Sequence, residues 1–293
     1  MSGICEGRVV VITGAGGGLG ASYAKAFALE GAKVVVNDIN AAAAQATVDA
    51  ITAAGGKAVA NTNSITDYAD AENIVKQAVD TFGGLDVVVN NAGICKDRMF
   101  ASMTEAEWDA VITVHLKGHF CLSSHAVHYW RDQAKAGNKV DARIINTSSG
   151  AGLNGSVGQS NYAAAKGGIA SLTLNQAAEL RRYGITANCL APAGRTGMTE
   201  VVFADMMKKP EDGAFDFFDP ANVAPLVVWL GSAESAAVTG RIFEAQGGKI
   251  SIADGWRTTT GVDKGARWTP SEIGGAMDTL LSAEVPAQKV YGS

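Results

Sequence analysis

The stretch RVVVITGAGGGLGASYAKAFALE, residues 8–30, decides the fold. Its first six residues form a short β-branched apolar run, which is typical of a strand that is buried on both faces. A glycine-rich turn (residues 14–20) follows at once, and an alanine-rich helical pattern continues to residue 30. This order predicts a phosphate cradle, because glycine lets the backbone approach a pyrophosphate and the helix N-terminus supplies N–H groups. A purely structural glycine turn is the alternative.

Asp38 is the candidate ligand for the ribose of a dinucleotide. It ends the next apolar run, residues 33–37, and follows Gly14 at close to the expected spacing of about 20 residues. A carboxylate there accepts hydrogen bonds from ribose hydroxyls and repels a 2′-phosphate. No Arg or Lys lies inside the glycine turn or directly after Asp38, so the sequence predicts NAD rather than NADP. In the alternative reading, Asp38 caps a helix that begins near Ala41.

Strands and helices alternate along the rest of the chain. Apolar runs predict further strands at residues 58–61, 85–90, 143–147, 186–190 and 242–245. Helical patterns lie between them at residues 67–82, 103–122, 162–183 and 223–230. This alternation predicts an α/β fold with a doubly wound parallel sheet of the Rossmann type. Without a linker or repeat, we predict one domain over residues 1–293, with a substrate lid at about 195–218 and a C-terminal tail at about 254–293.

Composition argues against several classes of protein. The net charge is −5 and Lys and Arg do not cluster, so we expect neither nucleic acid nor an anionic membrane as the main partner. The longest apolar runs are too short to span a bilayer, and neither end of the chain matches a secretory or peroxisomal signal. The four cysteines are far apart, which indicates free thiols and a cytoplasmic location.

The stretch SGAGLNGSVGQSNYAAAK, residues 149–166, holds the candidate catalytic groups. Tyr162 and Lys166 are four residues apart, so they share one face of a helix. A cation beside a phenol favours the phenolate, and we therefore expect Lys166 to lower the Tyr162 pKa from its usual value of about 10. Ser149, in a glycine-rich loop, is positioned to bind the same substrate oxygen. A surface Tyr and Lys on an alanine-rich helix is the alternative.

Taken together, these stretches resemble the short-chain dehydrogenase/reductase family over about residues 5–255. The residues that carry the resemblance are Thr13, Gly14, Gly18 and Gly20, Asn90 to Gly93, and Ser149, Tyr162 and Lys166. It implies that Tyr162 is the acid/base, that Lys166 holds the nicotinamide ribose, and that Ser149 and Tyr162 contact the substrate. It also implies a cofactor site formed by Gly14, Gly18, Leu19, Gly20, Asp38, Asn63, Ser64, Asn91, Ala92, Gly93, Tyr162, Lys166, Pro192 and Thr199.

The sequence departs from the usual family pattern in three places. His115 occupies the position of an Asn that holds a water of the proton relay, Ala193 replaces a Gly after Pro192, and Asn63 replaces an Asp. The resemblance gives His115 a relay role, with a plain packed histidine as the alternative. All four histidines lie within residues 115–128 at helical spacings. No carboxylate or thiolate completes a zinc set with them, so we predict no metal.

The stretches VHLKG, NDIN, NSIT and APAGRTGMT narrow the resemblance. They are similar to the dehydrogenase unit of peroxisomal multifunctional β-oxidation enzymes and its stand-alone bacterial relatives. This implies NAD-dependent oxidation of a (3R)-hydroxyacyl-CoA, or of a steroid 17β-alcohol. One alternative is a 3-oxoacyl carrier-protein reductase, which Asp38 disfavours because that reaction usually uses NADPH. Another is an NAD-binding sensor without catalysis, which the complete set of Ser149, Tyr162 and Lys166 disfavours.

Two further segments carry predictions: residues 198–218, expected on the substrate side, and the C-terminal tail. Residues 198–218 are rich in Met and Phe, which suits an apolar wall for an acyl chain or steroid, although a packed lid or subunit contact is equally compatible. Arg195, Lys208 and Lys209 are either contacts for a CoA phosphate or solvated surface. The tail contains Trp256, Trp268 and a helical pattern at 270–281, so we expect it to pack onto the lid or across a neighbouring subunit of a homodimer or homotetramer.

Overall fold

The structure, a computed structural model, describes residues 3–196, 207–210, 213–253, 261–282 and 290–292. Its described strands are β1 Val9–Thr13, β2 Lys33–Asn37, β3 Lys57–Asn61, β4 Val87–Asn90, β5 Ala142–Thr147, β6 Ile185–Ala193, β7 Ile242–Gln246 and β8 Lys249–Ala253. They form one eight-stranded sheet in the order β3-β2-β1-β4-β5-β6-β7-β8. All neighbouring strands are parallel except β7 and β8, which are antiparallel. The predicted doubly wound α/β fold is confirmed.

Helices cover both faces of the sheet. A π-helical turn, Thr113–Lys117, joins α4 (Glu105–Ile112) to α5 (Gly118–Lys135), so residues 105–135 form one helix with an interruption near its middle. The α-helices of the described residues are α1 Gly18–Leu29, α2 Ala41–Ala53, α3 Tyr68–Phe82, α4 Glu105–Ile112, α5 Gly118–Lys135, α6 Gly150–Asn154, α7 Ser160–Leu180, α8 Ala224–Gly231 and α9 Ile273–Ser282. No helix in these described stretches is both long and apolar enough to cross a membrane.

The alternation of side chains along the strands creates two separate hydrophobic layers. In β1, Val10 and Ile12 pack with α1, α2 and α8 on one face, whereas Val9 and Val11 pack with α3 and α5 on the other. Each fully buried aliphatic side chain contributes about 1.5–3 kcal/mol to folding. Two-sided burial explains why the central strands are continuous apolar runs without polar alternation. Because both faces of the sheet are covered by helices, polar residues lie at the carboxyl ends of the strands.

Several sequence predictions differ from the structure in detail. The strand β8 was not predicted; Gly247 adopts a left-handed conformation (φ 52°) that turns the chain directly back after β7. A short helix, α6, stands where a glycine-rich loop was expected. The helical prediction over 270–281 is confirmed by α9. Residues 197–206 and 211–212 of the predicted lid lie outside the described residues, and the single domain stays a prediction.

Candidate active site

The glycine turn brings the ends of β1, β4 and α1 into direct contact. A Cβ on Gly20 would lie 2.2 Å from the Gly14 carbonyl oxygen, and one on Gly14 would lie 2.8 Å from Ala92 Cα. Gly14 and Gly18 also adopt the left-handed region, at φ 61° and 52°. Gly17 caps α1 without a side-chain hydrogen bond, so no cap side chain occupies the first N–H groups of this helix in the described part of the chain. A turn of this shape fits a pyrophosphate.

Asp38 lies against the glycine turn at the carboxyl end of β2. Its Oδ2 accepts from the Gly16 N–H at 3.0 Å, and its Oδ1 accepts from the Asn40 N–H at 2.9 Å. Asn40 is the residue that caps α2, through the Ala43 N–H, so the reading of Asp38 as the cap is wrong. A Cβ on Gly16 would lie 2.8 Å from Asp38 Oδ2. The turn therefore leaves no room for a basic side chain at position 16.

The Asn-Asn-Ala-Gly segment after β4 is fastened to the same edge by Thr13. The Thr13 hydroxyl accepts from the N–H groups of Asn91 and Ala92, both at 3.0 Å. Asn91 Nδ2 in turn donates to the Thr13 carbonyl at 3.0 Å. The structure thus brings the predicted residues Asn91 and Ala92 beside Gly14.

The loop after β3 carries the predicted residues Asn63 and Ser64. The Asn63 amide accepts from Asn61 Nδ2 at 3.0 Å and donates to Asp70 Oδ1 at 3.3 Å. The Ser64 N–H donates to the other Asp70 oxygen at 3.2 Å. The side chain of Asn63 is thus occupied in holding the loop onto α3. This gives a structural reason for an amide where the family usually has a carboxylate, because an amide can both accept and donate.

Ser149, Tyr162 and Lys166 meet at the carboxyl end of β5. Ser149 caps α6 through the Ala151 N–H at 3.2 Å, and its hydroxyl lies close enough to Tyr162 to act on the pKa of the phenol. Lys166 Nζ lies 5.5 Å from the centroid of the Tyr162 ring. The ammonium is fully buried and donates to the Thr147 carbonyl at 2.6 Å. The three predicted catalytic side chains are therefore adjacent.

The pKa of Tyr162 differs from the sequence expectation. Burial raises it to about 12, although the neighbouring Ser149 hydroxyl opposes this rise. Burial also lowers the pKa of Lys166 to about 8. Removal from water is therefore the largest influence on both pKa values in the protein alone, since desolvation disfavours phenolate and ammonium alike. Lys166 by itself does not shift the phenol toward neutrality.

His115 occupies the π-helical turn beside Tyr162. The ring is 1% exposed, and its Nε2 lies 3.0 Å from the Ile94 nitrogen and 2.8 Å from the Ile94 oxygen. It meets the Tyr162 ring edge-on, with 5.1 Å between the centroids. Burial and the charge of Lys166 lower the His115 pKa to about 3, so the imidazole is neutral at physiological pH. Its observed contacts hold the segment after Gly93.

Sequence reasoning missed Asn161, which directly precedes Tyr162 and is fully buried. Its Nδ2 donates to the carbonyls of Lys96 and Glu107 at 3.1 and 3.2 Å. Its Oδ1 accepts from the Tyr162 N–H at 2.7 Å. The signal that could have found it is an amide in the first turn of a helix, next to a candidate catalytic residue.

Three predicted residues, Pro192, Thr199 and Arg195, and the question of a metal site remain. Pro192 lies in β6, opposite Ala245, whereas Thr199 is outside the described residues. Arg195 forms a two-pronged pair with Asp216, at 2.8 and 2.7 Å, so its guanidinium is engaged within the protein, and the suggested CoA contact stays a prediction. Among the described residues, no group of three or more His, Cys, Asp or Glu could hold a metal ion.

Comparisons with known proteins agree with this geometry. The family model for short chain dehydrogenases matches residues 8–207. Hydroxyacyl-CoA dehydrogenase ChsB1 of Mycobacterium tuberculosis is 44% identical over 291 residues, which cover 97% of this chain and 91% of that protein. A crystal structure of a short chain dehydrogenase from Mycobacterium avium matches with a TM-score of 0.91 and 54% identity, over 99% of this chain and 100% of that one.

Longer peroxisomal proteins match over part of their length. The hydratase-dehydrogenase-epimerase of Saccharomyces cerevisiae is 46% identical over 250 residues, which cover 82% of this chain and 26% of that protein. The mouse multifunctional enzyme type 2 is 44% identical over 265 residues, covering 87% and 34%. The chain thus spans about a quarter to a third of these two relatives. It belongs to the short-chain dehydrogenase/reductase family and is an oxidoreductase of the kind that uses a nicotinamide cofactor.

Proposed function

We propose that this enzyme oxidises a (3R)-hydroxyacyl-CoA to the 3-ketoacyl-CoA with NAD. The observation that carries the proposal is the meeting of Ser149, Tyr162 and Lys166 at the sheet edge that also holds the glycine turn and Asp38. The names of the relatives, hydroxyacyl-CoA dehydrogenase among them, support the acyl-CoA substrate. A 17β-hydroxysteroid is the second secondary alcohol that we include as a substrate candidate.

The residues around the glycine turn fit NAD. The turn would hold the pyrophosphate, and the Asp38 carboxylate would meet the adenosine ribose. The space beside Gly16 is filled by Asp38 itself, which disfavours both a 2′-phosphate and a cation to bind it. When bound, NAD supplies the acceptor for the hydride and, in its oxidised form, a positive charge.

The side chains handle the proton of the alcohol. Ser149 holds the substrate oxygen, and Tyr162 as phenolate takes the hydroxyl proton while the C–H bond gives up its hydride. Because burial raises the pKa of Tyr162 to about 12, the phenolate needs positive charge close by. Lys166 provides such charge while it is protonated, and its pKa of about 8 makes its hydrogen bonds important for keeping it so. His115 keeps the segment after Gly93 in place beside Tyr162.

We further propose a homodimer or homotetramer in the cytoplasm. Helix α9 exposes apolar side chains at every fourth position, Ile273, Met277 and Leu281, and strand β8 exposes Ile250 and Ile252 at the edge of the sheet. Apolar stripes of this kind are more stable when a second copy covers them. The four free cysteines support a reducing compartment.

A screen of NADH absorbance with the purified chain tests the proposal. It pairs NAD or NADP with (3R)- and (3S)-hydroxyacyl-CoA, a 17β-hydroxysteroid and simple secondary alcohols. We expect turnover of the (3R)-acyl-CoA with NAD. Turnover of the steroid alone would replace the substrate, and a preference for NADPH with a 3-oxoacyl carrier protein would favour a reductase instead.

Two variants separate the roles of catalysis and cofactor binding. We expect Tyr162→Phe to abolish turnover while NAD affinity is retained; retained turnover would contradict the mechanism. We expect Asp38→Ala to erode the preference for NAD over NADP, and an unchanged ratio of kcat/KM values would remove Asp38 from the ribose site.

A further inference from the structure

Asn37 is a buried polar residue at the end of an otherwise apolar strand, and it has no role in the proposed mechanism. It closes β2 directly before Asp38 and is 2% exposed. Burying an amide is unfavourable unless its polar atoms form hydrogen bonds. The contacts of this side chain therefore indicate why the strand ends in a polar residue.

The backbone on either side of Asn37 is fixed without its side chain. The Asn37 carbonyl accepts from the Ala15 N–H of the glycine turn at 3.0 Å. The N–H of the same peptide unit, which belongs to Asp38, donates to the Asn61 carbonyl at 3.0 Å. The backbone position of Asp38 thus follows from the pairing of the strands, and the amide of Asn37 serves another contact.

That contact is with the loop after β3. Asn37 Nδ2 donates to Asn61 Oδ1 at 2.7 Å and to the Asn63 carbonyl at 2.9 Å. Asn61 Oδ1 also accepts from the Asn63 N–H at 3.0 Å. Because a carbonyl can only accept and a backbone N–H can only donate, these contacts fix which end of each amide faces its neighbour. Asn37 therefore binds the loop both directly and through Asn61.

The peptide unit between Asn63 and Ser64 is held at two points. Its carbonyl accepts from Asn37 on β2, and its N–H donates to Asp70 Oδ2 on α3 at 3.2 Å. Without the amide of Asn37, the loop keeps its attachment to α3 but loses this attachment to β2. We therefore expect the loop to become looser beside Asp38 without detaching from the fold.

The loop lies next to Asp38 along the edge of the sheet. The strands β1, β2 and β3 are neighbours, at the usual spacing of about 4.8 Å. Their carboxyl ends lead to the glycine turn, to Asp38 and to the loop after β3. With the pyrophosphate at the turn and the ribose at Asp38, the adenine would extend toward this loop. The position of the loop thus bears on the adenosine half of the dinucleotide.

We propose that Asn37 is a positioning residue for the adenosine half of NAD, holding the loop after β3 beside Asp38 so that both meet the adenosine together. The inference rests on the proposed function, which places NAD at this edge of the sheet. Asn37 acts through the loop and does not itself touch the cofactor. A loop that is held in place before binding does not have to be ordered by the cofactor, and the cost of that ordering would lower the affinity.

Calorimetry with ADP-ribose, which carries the adenosine and the pyrophosphate but no nicotinamide, is the direct test. Asn37→Val keeps a side chain that suits a strand and removes the amide. We expect its dissociation constant for ADP-ribose to rise about fivefold, because binding must then order the loop. KM for NAD should rise by a similar factor while kcat stays within about twofold. Amide hydrogen exchange at Asn63 and Ser64 should be faster in the ligand-free variant.

A second buried asparagine provides the matched control. Asn188 is 1% exposed in β6, and its Nδ2 donates to the Val238 carbonyl at 2.9 Å. This strand does not neighbour β1, β2 or β3. Asn188→Val also removes a buried amide, but it should leave the dissociation constant for ADP-ribose unchanged. If Asn37→Val does not fold, Asn37→Ser replaces it, since its shorter side chain does not reach the Asn63 carbonyl.

Three outcomes separate this proposal from the proposed function. An unchanged dissociation constant for ADP-ribose in the Asn37 variant, or an equal rise in Asn188→Val, would overturn the role of Asn37. The calorimetry needs no alcohol, so a chain that binds ADP-ribose but does not oxidise (3R)-hydroxyacyl-CoA would refute the proposed substrate and leave this test intact. Failure of the unmodified chain to bind ADP-ribose would refute the NAD site and this inference with it.

Discussion

At the scale of single residues, His115 shows how a substitution within a family can keep a structural task. The family's Asn offers a donor and an acceptor on one amide, and His115 places one nitrogen between the N–H and the carbonyl of Ile94. The close approach of Gly93, where a Cβ would lie 2.2 Å from His115 Cε1, makes room for the larger ring. The imidazole thus binds the Ile94 backbone, and burial together with the charge of Lys166 lowers its pKa to about 3, so the ring is neutral near pH 7.

This interpretation predicts different results for two variants of His115. His115→Asn should keep most of the turnover, because the amide can bind the Ile94 backbone and the ring is neutral in any case. His115→Leu should lower the free energy of unfolding by about 1–3 kcal/mol, since the buried backbone loses its partner. Urea unfolding and steady-state kinetics measure the two effects. A large loss of kcat in the Asn variant, with its stability intact, would mean that the imidazole has a chemical role.

At the scale of elements, Asn161 connects α7 to two segments that precede it in the chain. Its amide binds the carbonyls of Lys96 and Glu107 and the N–H of Tyr162. Asn161→Ala should therefore lower the free energy of unfolding by about 1–3 kcal/mol, because the buried amide and its three backbone hydrogen bonds are lost. Asn175, exposed on the same helix and bonded to the Ser171 carbonyl, is the matched control. Asn175→Ala should change the stability by about 0.5 kcal/mol or less, and equal losses in both variants would contradict the connecting role.

Some of the strands and helices could be predicted from the sequence and others could not. The strands were predictable because two-sided burial demands continuous apolar runs. The Tyr162 helix, α7, ends at Leu180, and a 3₁₀ turn (Arg181–Tyr183) continues it to Gly184, the predicted stop, which adopts a left-handed conformation (φ 79°). The π-helical turn was not predictable, because residues 113–117 continue an ordinary helical pattern and only packing reveals the extra residue. The approach of Ser149 to Tyr162 was foreseen from the family resemblance. The raised pKa of Tyr162 was not, since burial depends on the complete fold.

At the scale of the whole molecule, the buried histidines make stability depend on pH. The folded pKa values of His115 and His119 lie below the unfolded value of 6.5, to about 3 for His115. Below pH 6.5 the unfolded chain therefore binds protons that the folded chain does not bind, and the free energy of unfolding falls as the pH falls. The slope should approach about 1.4 kcal/mol per pH unit for each histidine. Urea unfolding between pH 7.5 and 5 measures it. In His119→Gln the slope of stability against pH should fall by the contribution of one histidine. An unchanged slope in this variant would contradict the buried neutral state of His119.

The C-terminal helix α9 provides the last prediction at this scale. It exposes Ile273, Met277 and Leu281 by 41, 42 and 59%, and none of its residues is buried within the chain. A helix with an uncovered apolar stripe gains little from packing on its own chain, so we expect a second copy to cover it. Met277→Glu should then shift the protein toward a smaller assembly in size-exclusion chromatography with light scattering. Thr279→Glu, on the opposite face of the helix, should leave the mass unchanged. A monomeric mass for the unmodified chain would mean that the stripe meets no second copy, and an equal shift in both variants would mean that charge alone, rather than the stripe, governs assembly.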